Sequence, residues 1–239
     1  PTIIQANVVF RRGLAQNLDS HLTPLTLSPT KAPETVTPKL RETCKRLVPT
    51  SEPVFVDRKP GPSARVNKCT FNVQDFLQSN LGEMLLGWEI TVWDNVLVDC
   101  VGHAVVRQGD SLLCVTPSKY GDSRLLFLPD SSLSFDFSDP NARMPVAELP
   151  LSLRSEVASL IAATKREREI KIKYPVSSQP LVVQGQDAVD LRQLEKLKST
   201  LMLKVILATS DHNTRCPCGS GKKFRKCHRP SVERMLALS

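Results

Sequence analysis

The C-terminal segment constrains the fold of this chain more than any other part. Three cysteines and a histidine lie within thirteen positions, at Cys216, Cys218, Cys227 and His228. Three thiolates and one imidazole form a complete tetrahedral ligand set for Zn²⁺. The segment has too little apolar surface for a core of its own, so we expect metal–ligand bonds to fold it. Four protein ligands leave no position for water, which makes the predicted zinc structural.

The residues between these ligands suit a compact metal loop. Pro217 holds the turn between the first two cysteines, and the glycines of Gly219-Ser220-Gly221 permit positive φ values. We expect residues 222–226 to form a helical turn that returns the last two ligands to the site. Phe224 is the one large apolar side chain available to cover it, and His212 is a spare ligand candidate.

The stretch from Arg215 to Arg229 resembles the zinc-binding motif at the C-terminus of the SecA preprotein translocase ATPase, the SEC-C motif. The resemblance rests on Cys216-Pro217-Cys218-Gly219-Ser220-Gly221 and on the adjacent pair Cys227-His228. It implies that this pair completes the ligand set. The motif occurs as an appendage on many otherwise unrelated bacterial proteins, so the resemblance predicts an accessory module and leaves the remaining residues open.

The charge of the chain indicates an acidic partner. The formal net charge is +8 and the pI is near 9.3. Basic side chains are concentrated around the predicted metal loop: Arg215, Lys222, Lys223, Arg225, Lys226 and Arg229. These residues either solvate a small loop or form a patch for a protein, nucleic acid, ribosome or acidic lipid.

Cysteine usage and hydropathy predict a cytoplasmic protein, and the resemblance to the SEC-C motif implies a bacterial one. Three of the seven cysteines belong to the predicted metal loop, and Cys44, Cys69, Cys100 and Cys114 are expected to be free thiols. No apolar run reaches the roughly 20 residues that span a bilayer. Residues 1–7 lack a charged region followed by an apolar one, which disfavours secretion. Organelle import is the alternative.

The sequence predicts an α+β fold in four segments. Residues 1–50 are a Pro-rich N-terminal arm, and 51–150 form a central domain of one helix and an antiparallel meander of about four strands. Residues 151–210 are a helical connector, with apolar stripes over 151–168 and 187–207, and 211–239 are the zinc-binding module. The central helix covers 71–77 with Asn67 as its N-cap, and the predicted strands cover 88–93, 96–106, 111–116 and 124–128.

Two central residues are candidates for catalysis. Cys69 lies at the start of the predicted helix, and His103 lies in the middle of a strand. With His103-Ala104-Val105-Val106 and Val115-Thr116-Pro117, this order resembles the core of transglutaminase-like and papain-like cysteine enzymes. The resemblance implies that Cys69 is the nucleophile and His103 the base. A helix N-terminus and an imidazole both stabilise a thiolate.

The sequence departs from that family where an acid should orient the histidine. A turn at Gln108-Gly109 places Cys114 opposite His103, whereas a turn at Gly109-Asp110 places Thr116 there. Neither side chain fixes an imidazole tautomer as a carboxylate does. Without the acid, a degenerate enzyme fold kept as a binding platform is an equal alternative.

Two functional hypotheses follow. The first is a cytoplasmic zinc-binding adaptor whose C-terminal module docks on a protein or nucleoprotein partner. The alternative is a transglutaminase-like cysteine enzyme, an amide hydrolase or acyl transferase that uses Cys69 and His103. A nucleic-acid-associated protein acting through the basic tail is a third hypothesis. The stripe from Leu191 to Val205 leaves open whether the chain self-associates.

Overall fold

The computed structural model describes residues 4–6 through their backbone, and residues 30–176, 181–211, 213–216, 218 and 220–238. Their strands are β1 (Ile4–Ala6), β2 (Val54–Arg58), β3 (Glu83–Trp93), β4 (Leu97–Gln108), β5 (Ser111–Cys114), β6 (Arg124–Pro129), β7 (Val146–Pro150) and β8 (Leu181–Val183). Their α-helices are α1 (Pro38–Leu47), α2 (Cys69–Leu77), α3 (Ser155–Lys171), α4 (Gly185–Thr209) and α5 (Arg229–Ala237). The mixture confirms the predicted α+β class.

The chain divides into two compact units. Residues 30–151 form the first, which we call the barrel unit, and residues 1–29 with 152–239 form the second, the helical unit. Within the helical unit, the segment 213–238 is called the hook. No helix in the described ranges has both the length and the apolar character required to cross a membrane.

The barrel unit contains a closed five-stranded barrel. β3, β4 and β5 are consecutive antiparallel strands, and β5 then pairs in parallel with β2. β6 pairs with β2 on one side and with β3 on the other, which closes the barrel. β7 adds to β4 outside the ring. The predicted antiparallel meander is present in β3, β4 and β5 but does not extend to β6, because alternation within single strands does not show which distant strands pair.

Strand alternation separates an inner face from an outer one. The inner face carries a small apolar core formed by Val56, Val105, Cys114, Leu125 and Phe127. The outer face packs against both helices: Leu40 and Cys44 of α1 contact the cluster that contains Ile90, and Val73 of α2 packs with Ala104. Every second side chain of β3, β4 and β5 therefore points into the barrel.

The N-termini of α1 and α2 differ from those that the sequence predicted. The predicted extended arm was wrong for residues 38–47, because Thr37 caps α1 by accepting from the Leu40 N–H at 3.2 Å and Pro38 suits the first turn. The rest of the arm lies largely outside the described residues. α2 starts at Cys69, and Asn67 is not its N-cap: Asn67 has φ 61° and lies in the preceding turn.

The helical unit contains two long helices, α3 and α4, which the apolar stripes of the sequence predicted. α3 and α4 contact each other along their lengths, and Glu167 of α3 pairs with both Lys171 and Lys198. The predicted helices 151–168 and 187–207 are confirmed with shifted ends. β1 and β8 form a separate two-stranded antiparallel sheet.

Candidate metal centre and the barrel interior

Four potential ligand atoms converge in the hook. The Sγ atoms of Cys216, Cys218 and Cys227 and a ring nitrogen of His228 lie within 4.8 Å of one another. His228 Nδ1 is 3.2 Å from both Cys216 and Cys227, and the Cys218 and Cys227 sulfurs are 3.7 Å apart. Two sulfurs bound at 2.3 Å to one tetrahedral ion would be about 3.8 Å apart. The cluster therefore fits a Cys₃His metal site, as the sequence predicted.

A short hairpin and a helical turn bring these ligands together. The Cys216 N–H donates to the Lys222 carbonyl at 2.7 Å, and Gly221 takes φ 73° in the intervening turn. A 3₁₀ turn over Phe224–Lys226 leads directly to Cys227, and His228 immediately precedes α5. The predicted helical turn is confirmed, although it is shorter than expected. His212, Pro217 and Gly219 lie outside the described residues.

Two further side chains support the cluster. Phe224 is fully buried, in agreement with its predicted covering role. Ser220 was missed as a contributor: its hydroxyl lies 3.2 Å from Cys218 Sγ and 3.4 Å from Cys227 Sγ. A serine between two turn glycines is ambiguous in sequence, but its position two residues after a ligand could have indicated a hydrogen bond to the thiolates.

The thiols of the hook differ in protonation. Burial raises the pKa of Cys216 to about 12. Burial also opposes ionisation of Cys218, but hydrogen bonds from Ser220 outweigh it and lower the pKa of Cys218 to about 6. At neutral pH one thiolate is therefore already available to a cation. Binding of a divalent cation would displace the protons of the other thiols.

Cys69 and His103 occupy the predicted elements in the barrel unit. Cys69 is the first residue of α2, and His103 lies in the middle of β4 with 5% of its surface exposed. Burial raises the pKa of Cys69, although backbone hydrogen bonds from Ala104 and Thr70 oppose the rise. The thiol that hydrogen-bonds to His103 is that of Cys114, at 3.3 Å from Nε2.

The register of β4 and β5 explains this contact. Gln108 pairs with Ser111, which places the turn at Gly109-Asp110, the second of the two predicted alternatives. That register would bring Thr116 opposite His103, but β5 ends at Cys114. The Cys114 side chain then reaches the imidazole diagonally from the same inner face.

An acid does lie next to His103, and sequence reasoning missed it. Glu89 Oε2 lies 3.4 Å from His103 Nδ1, and Oε1 accepts from Arg58 at 2.5 Å. Burial raises the pKa of Glu89, whereas Arg58 opposes the rise. The available signal was alternation in β3: Glu89 stands between the outward-facing Trp88 and Ile90, so its carboxylate had to point inward.

Comparison with known proteins identifies the hook alone. The sequence model of the SEC-C motif matches residues 213–230, a range that includes all four candidate ligands. No curated protein and no solved structure matches the chain. The predicted similarity of residues 51–150 to transglutaminase-like enzymes thus has no support from these comparisons. Together, the comparisons and the geometry define a chain with a SEC-C motif and a Cys₃His cluster that fits a metal site.

Proposed function

We propose that the hook binds one structural Zn²⁺ and that the chain is a zinc-binding adaptor. The observation that carries the proposal is the convergence of three thiols and one imidazole at the spacing of a tetrahedral zinc site. The match to the SEC-C motif supports it independently. The ion would tie the hairpin of Cys216 and Cys218 to the start of α5, through Cys227 and His228.

The surface around the metal site fits an acidic partner. Five basic side chains there are exposed: Arg215, Lys222, Lys223, Arg225 and Lys226. Among the described residues none of them pairs with a carboxylate, whereas Arg229 pairs with Glu233 at 2.8 Å. We propose that this basic surface docks on an acidic face of a protein or nucleoprotein, since long-range attraction between opposite charges favours encounter.

Metal binding is tested on the purified full chain. We expect one zinc per chain by elemental mass spectrometry, and loss of most of that zinc in Cys218→Ser and in Cys227→Ser. Cys44→Ser is the matched control, because Cys44 is a buried thiol of the barrel unit. Unchanged zinc content in both hook variants would contradict the ligand assignment.

Docking is tested by comparing four immobilised baits in a soluble extract. The baits are the zinc-loaded wild type, Cys218→Ser, the charge reversal Lys222→Glu/Lys226→Glu, and a control reversal at the exposed Lys59 and Lys119. We expect a defined set of proteins to bind the wild type and the control only. Nuclease treatment separates protein from nucleoprotein partners. Equal capture by all four baits would contradict docking through the hook.

The cysteine-enzyme alternative stays a prediction. Its supporting observation is the position of Cys69 at the N-terminus of α2, with backbone hydrogen bonds to its thiol. Its test is the pH dependence of iodoacetamide alkylation at each cysteine, with His103→Ala as control. Rapid labelling of Cys69 well below pH 8 that the substitution abolishes would favour this enzyme; labelling like a free thiol would contradict it.

A further inference from the structure

The barrel interior holds a thiol, a base and a carboxylate next to one another, and zinc binding uses none of them. Cys114 Sγ lies 3.3 Å from His103 Nε2, and Glu89 Oε2 lies 3.4 Å from His103 Nδ1. A nucleophile next to a base, with the base oriented by a third group, is the arrangement that activates thiols. The three side chains belong to β5, β4 and β3, all strands of the barrel.

A guanidinium completes this cluster. Arg58 contacts Cys114 Sγ at 3.4 Å through one terminal nitrogen and Glu89 through the other. Its side chain is 5% exposed, and its Nε–H is buried without an acceptor among the described residues. A buried donor left without an acceptor is costly, so this N–H favours a small ligand that brings an oxygen atom to it.

We propose that Cys114 is a peroxide-reactive thiol, with His103 as its base, Glu89 as the positioning residue of the imidazole, and Arg58 as the donor to the oxygen that leaves. The substrate class is a small hydroperoxide, for which hydrogen peroxide is the probe. The proposal concerns the barrel unit and does not depend on the proposed zinc-binding function.

The reaction balances with no other co-reactant. The Cys114 proton passes to His103 Nε2, and the thiolate attacks one peroxide oxygen. An S–O bond forms as the O–O bond breaks, so sulfur is oxidised to sulfenic acid and the peroxide is reduced. The leaving hydroxide accepts a hydrogen bond from Arg58 and takes the proton back from His103, which yields water.

Burial decides both the resting state and the size of the substrate. Burial lowers the pKa of His103 to about 3 and raises the pKa of Cys114, so the resting pair is a neutral imidazole and a thiol. Arg58 and Glu89 can then stabilise the thiolate and the imidazolium that proton transfer creates. Cys114 is fully buried and Glu89 is 26% exposed, so a reagent must be small and must enter beside Glu89.

The test measures oxidation of each cysteine in the full-length, zinc-loaded protein. Hydrogen peroxide is added, the reaction is stopped with catalase, and the protein is denatured with dimedone and iodoacetamide present, so that buried positions react equally. Peptide mass spectrometry then gives the rate at each cysteine. We expect a sulfenic acid at Cys114, formed at least about tenfold faster than at Cys44 or Cys100. Both controls are fully buried thiols that lie in the apolar cluster under α1.

Substitutions assign the roles. His103→Ala should slow oxidation of Cys114 by at least about 100-fold, the usual contribution of a general base. Glu89→Gln should move the pH–rate profile of Cys114 to lower pH, since the imidazolium loses its carboxylate and the thiolate loses a neighbouring negative charge; a merely structural effect would lower the rate equally at every pH. Cys44→Ser, which alters a thiol of the apolar cluster of α1, should leave the rate at Cys114 unchanged.

Two results would overturn the proposal. One is a wild-type protein in which Cys114 is oxidised no faster than Cys44 and Cys100. The other is oxidation at Cys69 instead of Cys114. Both are read from the folded wild type, so the proposal remains falsifiable even if His103→Ala does not fold.

Discussion

The chain holds two Cys/His clusters, and they differ in how the sequence assembles them. The hook draws Cys216, Cys218, Cys227 and His228 from thirteen consecutive residues at the surface. The barrel draws its cluster from four strands, and the Arg58–Cys114 contact joins residues 56 positions apart. In the proposed function an ion takes the place of a core in the first cluster, whereas the second is held by a core that surrounds it.

The pKa values of Cys218 in the hook and of Cys114 in the barrel are shifted in opposite directions. Near the surface, hydrogen bonds from Ser220 outweigh burial and lower the pKa of Cys218 to about 6. Inside the barrel, burial dominates and raises the pKa of Cys114 in spite of the Arg58 guanidinium nearby. The opposite pKa shifts of Cys218 and Cys114 thus follow from their surroundings and not from residue type.

The largest effect that we predict comes from removing the metal ion, because its loss should affect the folding of the hook and not that of the barrel. Structural zinc contributes about 10 kcal/mol to the folding of small peptides, so the hook should unfold when a chelator takes the metal. The barrel should stay folded. Both tryptophans of the chain, Trp88 and Trp93, lie in β3, so their fluorescence reports the barrel alone.

The measurement is limited proteolysis with and without chelator, followed by tryptophan fluorescence of the same samples. New cleavage should appear only within residues 213–238, and re-addition of zinc should abolish it. A shift of tryptophan emission on chelation would show that the barrel also depends on the metal, and the comparison would fail.

The second effect tests whether the core really holds the barrel cluster. A Cβ on Gly87 would lie 2.3 Å from the Leu128 carbonyl and 2.6 Å from the Phe127 ring, so Gly87→Ala should destabilise the barrel by roughly 3 kcal/mol. Gly61→Ala is the matched control, because no atom lies within 4 Å of its added Cβ. Urea unfolding followed by tryptophan fluorescence gives both values. Zinc content should be the same in both variants.

The same contrast explains what the sequence could predict. The four Cys and His side chains that converge in the hook were predicted together, because metal-ligand spacing is local in sequence. Cys69 and His103 were placed on the correct elements, yet the partner of His103 depended on where β5 ends. Glu89 was missed although β3 and β4 are consecutive strands, because the register of their hairpin decides which side chains of β3 lie near His103, and alternation alone does not set that register.

The third predicted effect is a pH dependence of the stability of the barrel, which comes from His103. The pKa of His103 falls from 6.5 to about 3 on burial, so the unfolded state binds more protons between these values. The contribution of His103 to stability is therefore present above pH 6.5 and is lost as pH falls, by about 1.4 kcal/mol per pH unit. Glu89 acts with the opposite sign, because burial raises its pKa.

A substitution isolates the histidine. The difference in free energy of unfolding between wild type and His103→Gln, measured by urea titration at pH 7, 6 and 5 with tryptophan fluorescence, should shrink steadily toward low pH. A difference that is constant with pH would mean that the imidazole takes up its proton in the folded barrel, against the burial that the structure shows.

The smallest effect refines the description of the hook. Ser220 contacts the sulfurs of Cys218 and Cys227 without being a ligand, and loss of such outer contacts typically weakens metal binding about 10- to 100-fold. Ser220→Ala should therefore keep one zinc per chain but lose it to a competing chelator at a lower concentration than wild type does. Ser199→Ala, which alters a half-buried serine of α4 whose hydroxyl donates to the Glu195 carbonyl, is the control. If both variants match the wild type, the four ligands alone set the zinc affinity of the hook. The contrast with the barrel would then be sharper, because the proposed role of His103 depends on its carboxylate neighbour.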